Sequence, residues 1–187
     1  MAATELGEKQ WYIVTTYSMH EEKTADNLRK RIESMNMQDY ILRVLVASRE
    51  EPILDKETGL PTGKTKTRVL YPGYIFVEMI MTDQSWYIVR NTPGVTGIAG
   101  SSGGGQKPTP VTREEMEPVL KRMDIVDDSM YDRYQVGDLV RVIHGALEGT
   151  EGRIESIDKE TGNVRVISQF FGRETPIDLE FSEIEKL

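Results

Sequence analysis

Residues 11–17 read WYIVTTY, a run of aromatic and β-branched side chains that predicts a β-strand. Ser18 comes next and can cap a helix. The apolar stripe of that helix, at helical spacing, is formed by Ala25, Leu28, Ile32 and Met35. Because a strand leads directly into an amphipathic helix, we expect a fold that combines α and β elements.

The rest of the first hundred residues continues this alternation. The predicted elements are strands at residues 42–47, 68–71, 74–79 and 95–99, with a short helix that begins at Asp83. Residues 50–66 are loop-like, since 55–64 within them contain two glycines and a proline among polar side chains, and this predicts a mobile hairpin loop. Residues 100–105, GSSGGG, predict a second flexible loop.

A third helix is predicted to start at Thr112, because Glu115 follows three residues later in capping-box position. Pro118 fits badly inside a helix, so we expect a kink there or a later start. Residues 123–134 carry four aspartates without a clear period. Like charges repel, and this segment is therefore predicted to be a flexible acidic linker.

Beyond the predicted linker the pattern changes to short strands. They are expected at residues 139–143, 153–157, 164–167 and 176–181. Glycines lie between them, and strands that recur roughly every 12 residues predict a small β-barrel. This segment, residues 135–187, has a net charge of −5, which disfavours a nucleic-acid backbone as its main ligand.

Composition excludes several classes of protein. The 187-residue chain has a net charge of −8 and no cysteine, so disulfides, thiol catalysis and thiolate metal sites are excluded. Two histidines are too few for a histidine-rich metal site. Residues 1–9 are predicted to be a disordered tail, and we find neither a signal peptide nor a membrane span. The sequence thus predicts a cytosolic protein without a metal or cofactor.

Enzyme motifs are weak. Gly59–Thr65 resembles a phosphate-binding loop, but three residues separate its glycines where the motif needs four, and a strand follows instead of a helix. His20 and His144 are each interpreted as surface residues, since neither lies near a promising Ser or Asp. We therefore expect no enzyme. A nucleotide hydrolase is the weakest alternative.

Aromatic residues cluster in the first ninety positions. They are Trp11, Tyr12, Tyr17, Tyr71, Tyr74, Phe76, Trp86 and Tyr87. Neighbouring side chains on a strand point to opposite faces, so we expect some of them to be exposed and to mark a partner surface. The same alternation applies to Phe170 and Phe171, of which one should be exposed unless a bulge turns both inward.

Several motifs carry a family resemblance. Trp11–Val14, Tyr71–Val77 and Trp86–Val95 resemble the N-terminal (NGN) domain of the NusG family. Val140–Val142 with the glycines that follow resembles a KOW motif, and Phe171–Leu179 resembles the end of bacterial members. The similarity spans about residues 11–187 in the family's order.

The resemblance implies an α+β architecture with a ferredoxin- or RRM-like NGN domain at residues 10–122. The linker would join it to an SH3-like KOW barrel at residues 135–187. It also implies a monomeric transcription elongation factor. In that family the NGN domain binds the clamp helices of RNA polymerase, and the KOW domain recruits Rho or a small-subunit ribosomal protein.

Carried over by position, the resemblance implies three sites. The polymerase-binding residues would be Trp11, Tyr12, Tyr71, Pro72, Gly73 and Tyr74. The contact with the non-template DNA strand would fall on Arg90, Asn91 and Thr92, although Asn91 could equally only cap its turn. The KOW partner site would be Phe171, Gly172 and Arg173, with Phe171 as the exposed aromatic.

Two points leave room for other interpretations. The chain has Ala146-Leu147 where family members commonly have Pro-Phe, which removes an aromatic from a contact loop. A ribosome-associated KOW protein that binds RNA is the alternative function. The net charge of −8 disfavours it, because ribosomal RNA binders are expected to be strongly basic.

Overall fold

A computed structural model describes residues 7–100 and 107–187. The chain forms two compact units, Met1–Arg113 and Glu114–Leu187. This division falls before the predicted end of the first domain at residue 122, so the third helix groups with the second unit. The predicted domain limits remain a prediction. Most of the predicted 1–9 tail and of the 100–105 loop lies outside the described residues.

The first unit is built from two helices and two sheets. Its elements are β1 (Lys9–Thr16), α1 (Glu21–Ser34), β2 (Ile41–Leu45), β3 (Ser48–Leu54), β4 (Pro61–Val69), β5 (Tyr74–Ile80), α2 (Asp83–Arg90) and β6 (Val95–Ile98). Four strands pair antiparallel in the order β2-β5-β1-β6, and β3 pairs with β4 separately. The predicted strand-helix alternation is confirmed.

The core of the first unit lies on one face of the four-stranded sheet. Tyr12 and Val14 on β1 share that face with Ile75 and Val77 on β5, because alternate strand residues point the same way. Leu28, fully buried, belongs to the apolar stripe that α1 packs against them. Thr82 caps α2 in place of the predicted Asp83, since its hydroxyl accepts a hydrogen bond from the Ser85 N–H at 3.0 Å.

The prediction of a loop at residues 50–66 is wrong. This segment forms most of the antiparallel hairpin of β3 and β4, whose tip is closed where Asp55 accepts hydrogen bonds from the backbone N–H groups of Glu57 and Thr58 at 2.8 and 2.9 Å. Every residue from Ser48 to Val69 is exposed or half-buried. The hairpin has no apolar face, so hydrophobic periodicity could not reveal its strands.

The second unit is an antiparallel sheet with helices before it. Its elements are α3 (Arg113–Arg122), α4 (Asp128–Tyr131), β7 (Leu139–Val142), β8 (Glu151–Asp158), β9 (Asn163–Phe170), β10 (Arg173–Glu180), a 3₁₀ turn (Phe181–Glu183) and β11 (Ile184–Lys186). The strand order is β10-β9-β8-β7-β11. The four predicted strands are confirmed and β11 is an addition, while closure into an SH3-like barrel stays a prediction.

The predicted linker is largely part of the second unit. Asp127 caps α4 by accepting a hydrogen bond from the Met130 N–H at 3.2 Å. Tyr131 stacks on Phe181 with ring centroids 4.0 Å apart, and Tyr134 meets the same ring edge-on. These aromatic contacts fix a segment that its aspartates alone would leave flexible. The helix α3 starts at Arg113, just after the predicted Thr112, and contains Pro118.

His144 was predicted to be a surface residue, and this is wrong. Its side chain is buried, and its Nε2 lies 3.0 Å from the Ser182 carbonyl oxygen.

Within residues 7–100 and 107–187, no cluster of three or more His, Asp or Glu side chains could hold a metal ion. Across the same residues, no helix is both long and apolar enough to cross a membrane.

Candidate docking turns

The turn at residues 71–74, here called the Tyr74 turn, connects β4 to β5. Gly73 adopts a φ of +82°, which favours glycine, and the Tyr74 N–H closes the turn on the Tyr71 carbonyl at 3.2 Å. The Gly73 carbonyl accepts a hydrogen bond from the Thr16 N–H at 2.8 Å. Tyr74 is 43% exposed, and Tyr71 packs edge-on against Phe76. The turn therefore presents Tyr74 from a fixed backbone.

Glu21 supports this turn from beneath, and sequence reasoning missed it. Its carboxylate accepts hydrogen bonds from the N–H groups of Gly73 at 2.7 Å and Met19 at 3.2 Å. Burial opposes its ionisation, but these hydrogen bonds outweigh burial, and the pKa of Glu21 lies below its ordinary value. Glu21 lies one turn before Ala25 on the buried face of α1, but its partner Gly73 is too distant in sequence for the pattern to indicate this role.

Trp11 and Tyr12 lie in the interior, so neither side chain is available as an exposed docking residue. Trp11 is 8% exposed and Tyr12 is 3% exposed. Strand β1 has neighbours on both edges, and both of its faces are covered: Tyr12 points into the core, while the guanidinium of Arg43 lies 4.9 Å from the Trp11 ring. The expectation that these two residues belong to the exposed surface is corrected accordingly.

The end of α2 separates the three residues predicted to contact DNA. Arg90 is exposed, whereas Thr92 is buried and its hydroxyl donates a hydrogen bond to the Ile88 carbonyl at 2.7 Å. The Asn91 side-chain amide donates to the Tyr87 carbonyl at 2.8 Å, so it caps the helix. Thr92 is thus a structural residue, and the capping role of Asn91 is the one that the structure shows.

The turn between β9 and β10, here called the Phe171 hairpin, has a two-residue loop. Phe170 pairs with Arg173 across the strands, and Phe171 and Gly172 have φ values of +52° and +76°. Positive φ at both loop positions is typical of the type I′ turn, which suits the twist of a hairpin. The Phe171 side chain is fully exposed and Phe170 is half-buried, so the predicted exposure of Phe171 is confirmed.

Comparisons with known proteins identify the family. The NusG family model, described as transcription termination factor nusG, matches residues 9–120. A transcription termination/antitermination protein NusG from Bacillus subtilis (strain 168) is 48% identical over 182 residues, which cover 96% of this chain and 99% of that protein. The chain belongs to the NusG family.

Further NusG proteins agree with this assignment. The protein from Staphylococcus aureus (strain Mu50) is 45% identical over 185 residues, covering 98% of both chains. A solved structure on domain interaction in Thermotoga maritima NusG matches 96% of this chain and 98% of its own, at 35% identity and a TM-score of 0.51. The resemblance found in the sequence is confirmed, and the protein is a transcription termination/antitermination factor.

Proposed function

We propose that this NusG protein links RNA polymerase to a second partner, with one docking turn for each. The observation that carries the proposal is that each compact unit presents an exposed aromatic on a constrained, glycine-containing turn, Tyr74 in the first unit and Phe171 in the second. Exposed aromatics on fixed backbones bury a large area at a small entropic cost when a partner covers them. Two such modules on one chain raise each other's effective concentration at a shared complex.

RNA polymerase is the proposed partner of the Tyr74 turn, through its clamp helices. Tyr74 and Pro72 are exposed, and Tyr71 is half-buried and packs edge-on against Phe76. Trp11 and Tyr12 support this surface from within the sheet and do not contact the partner. For the non-template DNA strand the exposed Arg90 remains the candidate, because a guanidinium can meet a phosphate without help from Thr92.

Rho or a small-subunit ribosomal protein is the proposed partner of the Phe171 hairpin. Phe171 would be the apolar anchor, and the exposed Arg173 beside it offers a planar fork of donors to carboxylates or carbonyls. Gly172 keeps the loop short enough for both side chains to reach one surface. The proposal includes three general properties: the protein is a monomer, it acts in the cytoplasm, and it catalyses no reaction.

Substitution of Tyr74 tests the first contact. Tyr74→Ala should weaken binding to RNA polymerase at least ~10-fold, because a covered aromatic anchor contributes ~2 kcal/mol or more. Tyr87→Ala is the matched control, since Tyr87 is also exposed, at 59%, but belongs to α2 and not to the turn. Both variants should melt like the wild type in the full-length protein, and equal binding by both would contradict the assignment.

A separate titration with Rho or the ribosomal protein tests the proposed contact of the Phe171 hairpin. Phe171→Ala should leave polymerase binding intact and weaken binding of Rho or the ribosomal protein at least ~10-fold. Leu139→Ala removes another exposed apolar side chain of the same sheet and should change neither affinity. If neither partner responds to Phe171→Ala, the partner surface of the second unit lies elsewhere.

A further inference from the structure

The β3–β4 hairpin is a feature that the docking turns do not use. It forms a two-stranded sheet of its own, apart from the four-stranded sheet. Eight of the nine residues of β4 are exposed, and the residues of β3 are exposed or half-buried. Two-stranded ribbons are only marginally stable in water by themselves. Because the hairpin is so exposed, the side chains on both of its faces are accessible to a partner.

The register of the hairpin separates its charges by face. Arg49 pairs with Arg68 and Glu51 with Lys66, and residues paired across strands share a face. Lys64, two residues before Lys66, falls on the same side. This basic face carries four cations and one carboxylate, a net charge of +3, on a chain whose net charge is −8.

The opposite face is uncharged apart from one carboxylate. It carries the pairs Ser48–Val69, Glu50–Thr67 and Pro52–Thr65, and the Thr65 hydroxyl donates a hydrogen bond to Glu50 at 3.0 Å. On the basic face, by contrast, two arginines stand directly opposite each other, and like charges in that position destabilise a strand pair. Glu51 offsets part of this repulsion by accepting a hydrogen bond from Arg68 at 3.1 Å.

The amino-acid composition of the hairpin favours some classes of polyanionic ligand over others. Residues 48–69 contain no aromatic side chain, whereas proteins that bind single strands stack bases on aromatic rings. A two-stranded ribbon fits the major groove of B-form DNA, which is about 12 Å wide. The major groove of A-form RNA is too deep and narrow for such an element. Lysines and threonines on a ribbon suit phosphate contacts, which carry no sequence information.

We propose that the basic face of the β3–β4 hairpin, formed by Arg49, Lys64, Lys66 and Arg68, binds the phosphate backbone of double-stranded DNA. This contact is separate from the docking turns and needs neither partner. Its affinity depends on salt, because each phosphate neutralised by a cation releases counterions. The acidic remainder of the chain limits the affinity at physiological salt, so the contact acts alongside another that holds the protein near DNA.

The test measures binding of the full-length protein to a labelled B-form duplex by fluorescence anisotropy, with salt varied from about 50 mM upward. Lys64→Ala with Lys66→Ala should lower affinity about 10-fold at the lowest salt and reduce the slope of log K against log salt by about 2. The charge-matched control is Lys23→Ala with Lys30→Ala, which removes two exposed lysines from α1. That control should bind almost as the wild type does.

Each other outcome overturns the proposal. Equal losses in the two double variants would show only an effect of net charge. A loss confined to single-stranded DNA or to duplex RNA would assign the face to that ligand. Absence of wild-type binding at the lowest salt would remove the site. Because all four lysines are exposed, the variants should keep the wild-type melting temperature. No polymerase is present, so the result is independent of the docking turns.

Discussion

The two units hold their helices by different chemistry. In the first unit α1 buries Ala25, Leu28 and Ile32 in an apolar core. In the second unit α3 also buries apolar side chains, but beside them it buries Lys121, which is fully covered and whose Nζ lies 2.7 Å from the Ile184 carbonyl of β11. Apolar contacts are non-directional, whereas a buried cation depends on every partner that surrounds it. The second unit should therefore respond to single substitutions and to pH in ways that the first does not.

The partners of Lys121 form a closed network. Its ammonium lies 2.9 Å from both the Glu117 carboxylate and the Tyr134 hydroxyl, and 3.8 Å from the centre of the Phe181 ring. Glu117 also accepts a hydrogen bond from the Tyr134 hydroxyl at 2.5 Å and pairs with Arg133. Removal of Glu117 therefore takes the paired carboxylate away from the fully buried Lys121, whereas Arg133 keeps Glu114 at 3.5 Å.

The largest expected effect comes from Glu117→Ala. Breaking a buried ion pair by removing one partner costs ~3–5 kcal/mol, because the remaining charge stays buried. The second unit should lose that much free energy of unfolding, while the first unit keeps its own. Native-state hydrogen exchange of β9 and β11 reports the second unit. Tryptophan fluorescence reports the first, since Trp11 and Trp86 both lie there.

Two controls sharpen this comparison. Leu28→Ala is the corresponding truncation in the first unit and should cost ~2–5 kcal/mol there alone. Lys121→Met combined with Glu117→Leu replaces the pair by apolar groups of similar size and should recover most of the lost stability. If Glu117→Ala leaves the hydrogen exchange of β9 and β11 unchanged, water must solvate Lys121 in the variant. The two units would then not differ in their sensitivity to loss of a buried charge.

The pH dependence should also distinguish the units. Burial lowers the pKa of Lys121 to about 7, against the attraction of Glu185, and raises the pKa of Tyr134 to about 12. Between pH 7 and the ordinary lysine pKa of about 10.4 the unfolded chain binds more protons, so stability rises with pH. Above about pH 10 the folded state keeps the Tyr134 proton that the unfolded chain loses, so stability falls.

The expected slope is at most about 1.4 kcal/mol per pH unit for one proton. Hydrogen exchange of β9 and β11, corrected for the intrinsic exchange rate at each pH, measures it between pH 7 and 9. Lys121→Met should abolish the rise, since methionine does not titrate. A first unit that shows the same rise as the second would assign the effect to some group other than Lys121.

Sequence alone predicted the parts of the fold whose pattern is local. The strand at residues 11–17 follows from its aromatic and β-branched composition, and the stripe that includes Leu28 follows from helical spacing; the structure has both. Strand alternation predicted that one of Phe170 and Phe171 is exposed, and the family resemblance selected Phe171. The hairpin of β3 and β4 was missed because neither of its faces is apolar, and periodicity detects only strands with a buried face.

The features that sequence analysis did not predict depend on contacts between residues distant in sequence. Lysines are almost never fully buried, and nothing near Lys121 indicates that Tyr134 and Ile184 will enclose it. The supporting role of Glu21 likewise depends on Gly73, which lies 52 residues further along the chain. For the candidate site, sequence reasoning found the two exposed aromatics but not what holds their turns, and it assigned the buried Thr92 to the surface.

The two docking turns differ in which residue carries the left-handed backbone. In the Tyr74 turn Gly73 has the positive φ, so the aromatic beside it is unstrained. In the Phe171 hairpin the exposed aromatic itself has a φ of +52°. A non-glycine residue in that region costs ~1–2 kcal/mol, and asparagine tolerates it better than phenylalanine. Asn-Gly is moreover the favoured pair for a type I′ turn.

Phe171→Asn should therefore stabilise the second unit by ~1 kcal/mol while it weakens binding of the proposed partner at least ~10-fold. Hydrogen exchange of β9 and β10 measures the first effect, and partner titration measures the second. Phe171→Ala separates them, because alanine keeps the unfavourable φ and loses only the ring. A rise in stability without loss of binding would show that Phe171 is not the anchor. A loss of both would show that the ring packs on the sheet, and the two turns would no longer be comparable.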